Sequence, residues 1–265
     1  MELSYIAPEM AEDFEEAARL GAETGARWVA LRGKIQNKAL EDLTDEDIGT
    51  AQKILDRYGL KVSGVYSSVG KCPIDEPDAV AKNRASFTRI IEVAKAFGTD
   101  KLRVFPYQRS GYVEYEAPRL DEYIDQIGRE WSPLVRQAEA ENVVLCFECV
   151  GSTLARRSAD IRRVIDVLGD SPAVGVIWEI DVAWRDGESP STGYPLIKGV
   201  IRDVHVKPNP ELPLTGEGET YEQAFRLLRN DDYSGPVTIE HWRSTDASLK
   251  ALHEIQEILS AQAGG

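Results

Sequence analysis

Short apolar runs alternate with helical stretches along the chain. Apolar runs of this length predict buried β-strands, and the longer stretches between them predict helices. The predicted strands occupy residues 3–7, 28–32, 61–67, 101–106, 143–148, 173–180, 201–206 and 236–240. The predicted helices occupy residues 11–24, 45–58, 77–97, 117–141, 158–168, 194–198, 220–228 and 246–259. The pattern therefore predicts eight strand–helix pairs.

This alternation predicts a closed barrel. Strands that alternate with helices need crossover connections, which are typical of a parallel sheet, and eight such pairs favour a closed barrel over an open sheet. A dinucleotide-binding sheet would carry a glycine-rich loop after its first strand, but residues 6–14 contain no glycine. The length of 265 residues is close to that of one barrel. We therefore predict an α/β protein with one (β/α)8 TIM-barrel domain over residues 1–265.

Charge and composition narrow the range of partners. The formal net charge of −14 repels phosphate backbones and anionic lipid surfaces, so we expect neither a nucleic-acid partner nor a membrane partner. The segment MELSYIAPEM lacks the basic and apolar regions of a signal peptide, and no apolar run approaches the roughly 18 residues of a membrane span. We predict a cytoplasmic protein. The cysteines Cys72, Cys146 and Cys149 do not form the pattern of a disulfide framework.

Ionisable residues end four successive predicted strands. Glu148 ends the fifth strand, and Glu179 and Asp181 end the sixth. His205 and Glu240 end the seventh and the eighth. Active sites of such barrels lie at the C-terminal ends of the strands, so these side chains are expected to converge. Converging carboxylates repel one another unless a cation is present, and carboxylate oxygens with one imidazole suit Mn²⁺, Mg²⁺, Co²⁺ or Zn²⁺.

Several segments of the C-terminal half resemble the xylose isomerase-like barrel superfamily, in its branch of sugar phosphate isomerases and epimerases. They are VVLCFE (143–148), WEIDVAWRDGESP (178–190), IRDVHVK (201–207), LTGEGETYEQAF (214–225) and VTIEHW (237–242). The N-terminal half resembles this superfamily only in the alternating order of its predicted strands and helices. The resemblance implies one divalent metal ion, with Mn²⁺ favoured. It places the ligand roles on Glu148, Glu179, His205 and Glu240.

Three positions depart from the family's pattern. The strand-six ligand is normally Asp, and the spacing to the GESP segment (187–190) puts Glu179 in that position. Asp181, two residues further along the same strand face, is its rival. Val182 stands where the family often has a substrate-contacting His, and Pro208 replaces an acidic residue. The resemblance therefore supports the metal site more strongly than the substrate contacts.

The resemblance also implies a reaction. In family members that isomerise or epimerise ketoses, two glutamates act as paired bases while the metal stabilises an enediolate, and these roles fall on Glu148 and Glu240. We expect an isomerase or epimerase of a small sugar or related hydroxy-ketone. A dehydratase or lyase of a keto-sugar or keto-inositol would use the same residues and is the first alternative. A further alternative is a barrel whose metal site has decayed and which acts as a binding subunit. Val182, in place of the family's substrate-contacting His, supports it.

Other side chains near strand ends are candidates for substrate contact. Lys207 either neutralises a developing oxyanion or is a surface lysine. Arg32 and Arg103 either hold a phosphate or carboxylate of the substrate or pair with nearby acids. A wall against a sugar ring, or ordinary packing, is expected of the aromatic residues Tyr66, Tyr107, Trp184 and Trp242. The expected partner is a small carbohydrate, and a homo-oligomer is compatible with the sequence.

Overall fold

A computed structural model of the chain describes residues 1–111, 119–207, 212–240 and 244–261. Pro208, Trp242 and the predicted start of a helix at residue 117 lie outside the described residues. Among the helices within the described ranges, none combines the length and apolar composition needed to cross a lipid bilayer.

Parallel strands form the centre of the fold. They are β1 (Glu2–Ile6), β2 (Trp28–Arg32), β3 (Lys61–Tyr66), β4 (Lys101–Val104), β5 (Val144–Glu148), β6 (Val174–Glu179), β7 (Ile201–Val206) and β8 (Pro236–Ile239). Each strand pairs with the next in chain order, and β8 pairs with β1 to close the barrel. The predicted fold class, a (β/α)8 TIM barrel, is confirmed.

Helices connect the strands on the outside of the barrel. They are α1 (Ala7–Met10), α2 (Phe14–Glu23), α3 (Asp45–Tyr58), α4 (Pro77–Arg84), α5 (Phe87–Ala96), α6 (Leu120–Glu141), α7 (Ser158–Val167), α8 (Ile180–Arg185), α9 (Pro190–Ile197), α10 (Tyr221–Asn230) and α11 (Thr245–Ala261). Helix α3 has the predicted bounds, and it ends at Gly59, whose φ of 66° is the left-handed conformation that favours glycine.

The helix predicted over residues 77–97 is two helices. At the end of α4, the Asn83 side chain accepts a hydrogen bond from the Gly70 N–H (2.6 Å) and donates one to the Ser68 carbonyl (3.0 Å). These bonds tie α4 to the loop after β3, whereas α5 packs an apolar face against the barrel. The two helices thus contact different parts of the protein, and the sequence pattern does not reveal this division.

The elements that were not predicted include a hairpin and a helix at the mouth of the barrel. The first is a hairpin in which residues 34–35 pair with residues 38–39, joined by Gln36 and Asn37 with φ of 51° and 63°. Such a turn is usually signalled by glycine, which is missing here. The second is α8, which begins directly after Glu179. The chain therefore leaves the strand geometry one residue before Asp181.

Candidate metal centre

Four side chains from consecutive strands meet at the C-terminal mouth of the barrel. Glu148 ends β5, Glu179 ends β6, His205 lies in β7, and Glu240 directly follows β8. The strand register places Glu179 beside His205, and His205 beside Thr238 of β8. Side chains alternate along a strand, so laterally paired residues face the same side of the sheet. We refer to Glu148, Glu179, His205 and Glu240 as the acid–histidine cluster.

The acid–histidine cluster is compact and buried. One potential ligand atom of each residue lies within 4.8 Å of the others. His205 Nδ1 is 2.6 Å from Glu179 Oε1 and 2.9 Å from Glu240 Oε2. The Glu148 carboxylate is further away, with Oε2 at 3.9 Å from the same nitrogen. Each residue of the cluster is at most 4% exposed, so solvent does little to screen the carboxylates from one another.

Burial and mutual charge shift the protonation of the cluster. Burial raises the pKa of Glu179 to about 8. Burial also acts to raise the pKa of Glu240, but the charges of Lys207 and His205 outweigh it and hold this pKa well below its usual value. Burial acts to lower the pKa of His205, yet the charges of Glu240 and Glu179 raise it well above the usual value. A divalent cation bound here would take over the charge compensation that these protons and Lys207 supply.

Two predicted substrate contacts lie against the carboxylates of the cluster. Lys207 Nζ forms ion pairs with Glu179 Oε2 at 2.7 Å and with Glu240 Oε2 at 3.3 Å. Arg103 Nη1 donates a hydrogen bond to Glu148 Oε2 at 3.0 Å. The Lys207 side chain is 24% exposed and the Arg103 side chain only 7%. Lys207 is therefore the more accessible of the two cations.

Arg32, the third cation predicted to contact substrate, links α1 to the residue that follows β8. Its Nη1 donates to Glu240 Oε1 at 2.7 Å, and its Nη2 donates to Glu9 in α1. Glu9 was not predicted as part of the site, although its position just after the first strand was a signal. The geometry thus gives Arg32 the ion-pairing role that was one of its two sequence interpretations.

Asp181, the rival of Glu179, lies outside the cluster. It is in the first turn of α8, is fully buried, and has its Oδ2 3.2 Å from an Arg185 nitrogen. The turn into helix directly after Glu179 takes Asp181 off the strand face on which alternation had placed it. Trp184, also on α8, is half-buried against the hydrophobic core, and Tyr107 is fully buried.

Tyr66 lies on the other side of the His205 ring from the carboxylates. Its hydroxyl is 3.0 Å from His205 Nε2 and donates to Asp203. Asp203 also accepts from the Thr238 hydroxyl and the Val204 N–H, both at 2.8 Å. At 3% exposure, Tyr66 does not present its ring as an open wall. Asp203 was not predicted, although it lies two residues before His205 on the same strand face.

Comparison with known proteins places the fold in a family context. Residues 14–261 match the sequence model of a family described as xylose isomerase-like TIM barrel. No curated protein matches the chain in sequence.

Several solved structures have a similar backbone. A 3-keto-D-glucoside 4-epimerase from E. coli has a TM-score of 0.78 and 18% identity, covering 98% of this chain and 99% of that one. A probable 3-DHS dehydratase from Bacillus anthracis has a TM-score of 0.77 and 14% identity, covering 98% and 99%. A xylose isomerase-like TIM barrel protein from Mycobacterium smegmatis, in complex with magnesium, has a TM-score of 0.71 and 19% identity, covering 95% and 96%. At these identities the likeness shows the fold.

Proposed function

Because the chain belongs to the xylose isomerase-like TIM barrel family, we propose that it is a divalent-metal-dependent isomerase or epimerase of a sugar or related hydroxy-ketone. The observation that carries this proposal is the acid–histidine cluster, whose four ligand atoms lie within 4.8 Å of one another. The cluster lies at the C-terminal face, where barrels of this type carry their active sites. The similarity to a sugar epimerase supports the same class of substrate.

The donor set of the cluster fits one divalent ion. Glu148, Glu179, His205 and Glu240 would hold it through carboxylate oxygens and the imidazole Nδ1. The ion, when bound, would polarise a substrate carbonyl and stabilise negative charge on its oxygen. We propose Mn²⁺, with Mg²⁺, Co²⁺ and Zn²⁺ as alternatives. The choice of Mn²⁺ and a cytoplasmic location stay predictions.

Glu148 and Glu240 are the proposed pair of bases. A base must be ionised, and the charges of Lys207 and His205 outweigh burial to hold the pKa of Glu240 well below its usual value. Arg103 lies near both carboxylates, with Nη1 at 3.0 Å from Glu148 Oε2 and 3.8 Å from Glu240 Oε1. It holds them in a fixed orientation. One carboxylate removes the proton from the carbon beside the carbonyl, and the other returns a proton.

The remaining predicted residues are proposed to orient the substrate. Lys207, the most accessible of the three predicted cations, is the proposed partner of a substrate oxygen. Arg103 and Arg32 form ion pairs with the carboxylates. We propose that only the small exposed part of each arginine contacts the substrate. Trp184 is proposed as an apolar side of the binding site, whereas Tyr66 belongs to the support of His205.

Elimination is the second candidate, favoured by the position of Lys207. Loss of a hydroxyl group needs a proton donor beside the base, and Lys207 Nζ lies 3.3 Å from Glu240 Oε2. Burial acts to lower the pKa of Lys207, but the charges of Glu179 and Glu240 raise it well above its usual value, so the ammonium is retained. The similarity to a dehydratase supports this candidate. A binding subunit with a decayed site is the least supported, because all four donors converge.

The test combines metal binding with two product assays. Metal-stripped protein is titrated with Mn²⁺ by calorimetry and then incubated in D₂O with ketohexoses, keto-glycosides and small hydroxy-ketones. NMR should show deuterium beside the carbonyl in an epimer or isomer, whereas an enone absorbance would support elimination. Glu240→Gln should bind metal more weakly and, at saturating Mn²⁺, should still lose at least about 100-fold in turnover. The surface variant Glu254→Gln should keep both, and no uptake at millimolar Mn²⁺ would overturn the proposal.

A further inference from the structure

A chain of hydrogen bonds runs from His205 away from the acid–histidine cluster into the barrel. His205 Nε2 lies 3.0 Å from the Tyr66 hydroxyl, and this hydroxyl donates to Asp203 Oδ2. Asp203 Oδ1 accepts from the Val204 N–H and the Thr238 hydroxyl, both at 2.8 Å. Tyr66, Asp203 and His205 are at most 3% exposed. Bulk water therefore does not compete for these bonds.

The number of protons on each group determines which group donates in each hydrogen bond of this chain. A tyrosine hydroxyl carries one proton, and a carboxylate only accepts. Because Tyr66 donates its proton to Asp203, its oxygen accepts the Nε2–H of His205. A neutral imidazole protonated at Nε2 has its lone pair on Nδ1. That atom lies 2.6 Å from Glu179 Oε1 and 2.9 Å from Glu240 Oε2, inside the cluster.

We propose that Tyr66 and Asp203 are positioning residues, which hold the proton of His205 on Nε2 and so present the Nδ1 lone pair to a divalent ion. This inference rests on the metal site of the proposed function and adds two residues that touch neither the ion nor the substrate. Replacing the buried partner of a metal-binding histidine typically costs about 10–100-fold in metal affinity.

Asp203→Asn keeps the shape of the side chain but should reverse the direction of the hydrogen bonds from it to His205. The backbone N–H of Val204 can only donate, so the new amide oxygen must take the Oδ1 position. The amide NH₂ then faces Tyr66 and donates to it. Tyr66 can now donate its own proton to His205 Nε2, which favours an imidazole protonated at Nδ1. The proton then occupies the position at which the metal should bind.

Calorimetric titration with Mn²⁺ measures this effect. Tyr66→Phe should weaken binding about 10-fold and Asp203→Asn about 100-fold, at the two ends of the range for such partners. The double variant Tyr66→Phe/Asp203→Asn should bind more tightly than Asp203→Asn alone, because no hydroxyl then donates to Nε2. Purely structural damage would instead make the double variant the weakest of the three.

A matched pair elsewhere in the chain provides the control. The Tyr194 hydroxyl donates to Asp231 Oδ2 at 2.8 Å, so the same two residue types make the same bond away from the cluster. Tyr194→Phe and Asp231→Asn should leave the Mn²⁺ affinity unchanged. A loss in these variants equal to that in Tyr66→Phe and Asp203→Asn would point to general destabilisation and overturn the positioning role.

NMR of protein labelled with ¹⁵N at histidine reads the tautomer independently of affinity. The chain has three histidines, so substitution of His241 and His253 assigns the His205 signals. With Mg²⁺ bound, the wild type should show a proton on His205 Nε2 and none on Nδ1, and Asp203→Asn should show this pattern in a smaller fraction of molecules at the same Mg²⁺ concentration. Absence of that proton in the wild type would overturn the inference, even if Asp203→Asn fails to fold. Failure of the wild type to bind Mn²⁺ would overturn the proposed function instead.

Discussion

Arg103 and Glu148 form a buried ion pair, in which Arg103 Nη1 lies 3.0 Å from Glu148 Oε2 and the two side chains are 7% and 2% exposed. Arg103→Met leaves this carboxylate buried without the guanidinium. Breaking a buried pair in this way costs about 3–5 kcal/mol. We expect a loss of that order in the free energy of unfolding of the metal-free protein, measured by denaturant titration.

Arg84 provides the control for this prediction. Its Nη1 lies 2.6 Å from Glu130 Oε2, but the two side chains are 28% and 30% exposed. Because solvent screens such a pair, Arg84→Met should cost less than about 1 kcal/mol. Mn²⁺ should restore part of the stability of Arg103→Met by compensating Glu148. Equal losses in the two variants would contradict the importance of the buried pair.

Glu179 and Asp181 can be separated by metal affinity. Glu179 belongs to the acid–histidine cluster, whereas Asp181 pairs with Arg185 at 3.2 Å. Glu179→Gln should weaken Mn²⁺ binding by more than about 100-fold, since changes that only support a ligand already cost 10–100-fold. Asp181→Asn should change the affinity far less. Calorimetry on both variants decides between them, and the reverse order would assign the ligand role to Asp181.

The stability of the metal-free protein should fall as the pH rises from about 5 to about 8. Burial raises the pKa of Glu179 from 4.5 to about 8, so across this range the folded state keeps a proton that the unfolded chain releases. The raised pKa of His205 acts in the same direction above about pH 6.5. Glu179→Gln should therefore make the fall shallower. Unfolding in EDTA at about pH 5.5 and about pH 7.5 tests this, and an unchanged slope would count against it.

Gly70 holds a backbone conformation that no other residue can take without a clash. Its φ is 84°, and an added Cβ would lie 2.0 Å from the Phe105 carbonyl oxygen. Gly98 has a similar φ of 73° but open space around it. Gly98→Ala should cost only the left-handed strain of about 1–2 kcal/mol. Gly70→Ala should cost more, because the backbone must also move. Thermal denaturation of both variants measures the difference, and equal costs would exclude the clash.

The barrel and its cluster follow from local patterns. Apolar runs with helical stretches between them predicted the strands, and strand ends predicted which residues converge. Glu148, His205 and Glu240 were identified because each closes a strand, and the parallel sheet carries all such ends to one face. Both predictions depend only on a residue and its immediate neighbours in the chain.

The support around the cluster depends on contacts that local patterns do not encode. Tyr66 and Asp203 are 137 residues apart and come from β3 and β7, so their hydrogen bond depends on how the whole barrel closes. Asp181 was predicted on the strand face because nothing signalled that the helix α8 begins directly after Glu179. Arg103 had two interpretations from the sequence, substrate contact and ion pairing, and its partner Glu148 is identified only by the fold.

Glu240 follows the strand that closes the barrel, and it is held by Arg32 from β2, which also binds Glu9 just after β1. A nascent chain that has left the ribosome only as far as β7 lacks both the closing strand and this carboxylate. The donor set is therefore completed only after β8 has been synthesised, by the same event that joins β8 to β1. Binding of a metal ion by all four donors would then be possible only in the completed barrel. A metal ion bound by a partial barrel would lack the Glu240 donor.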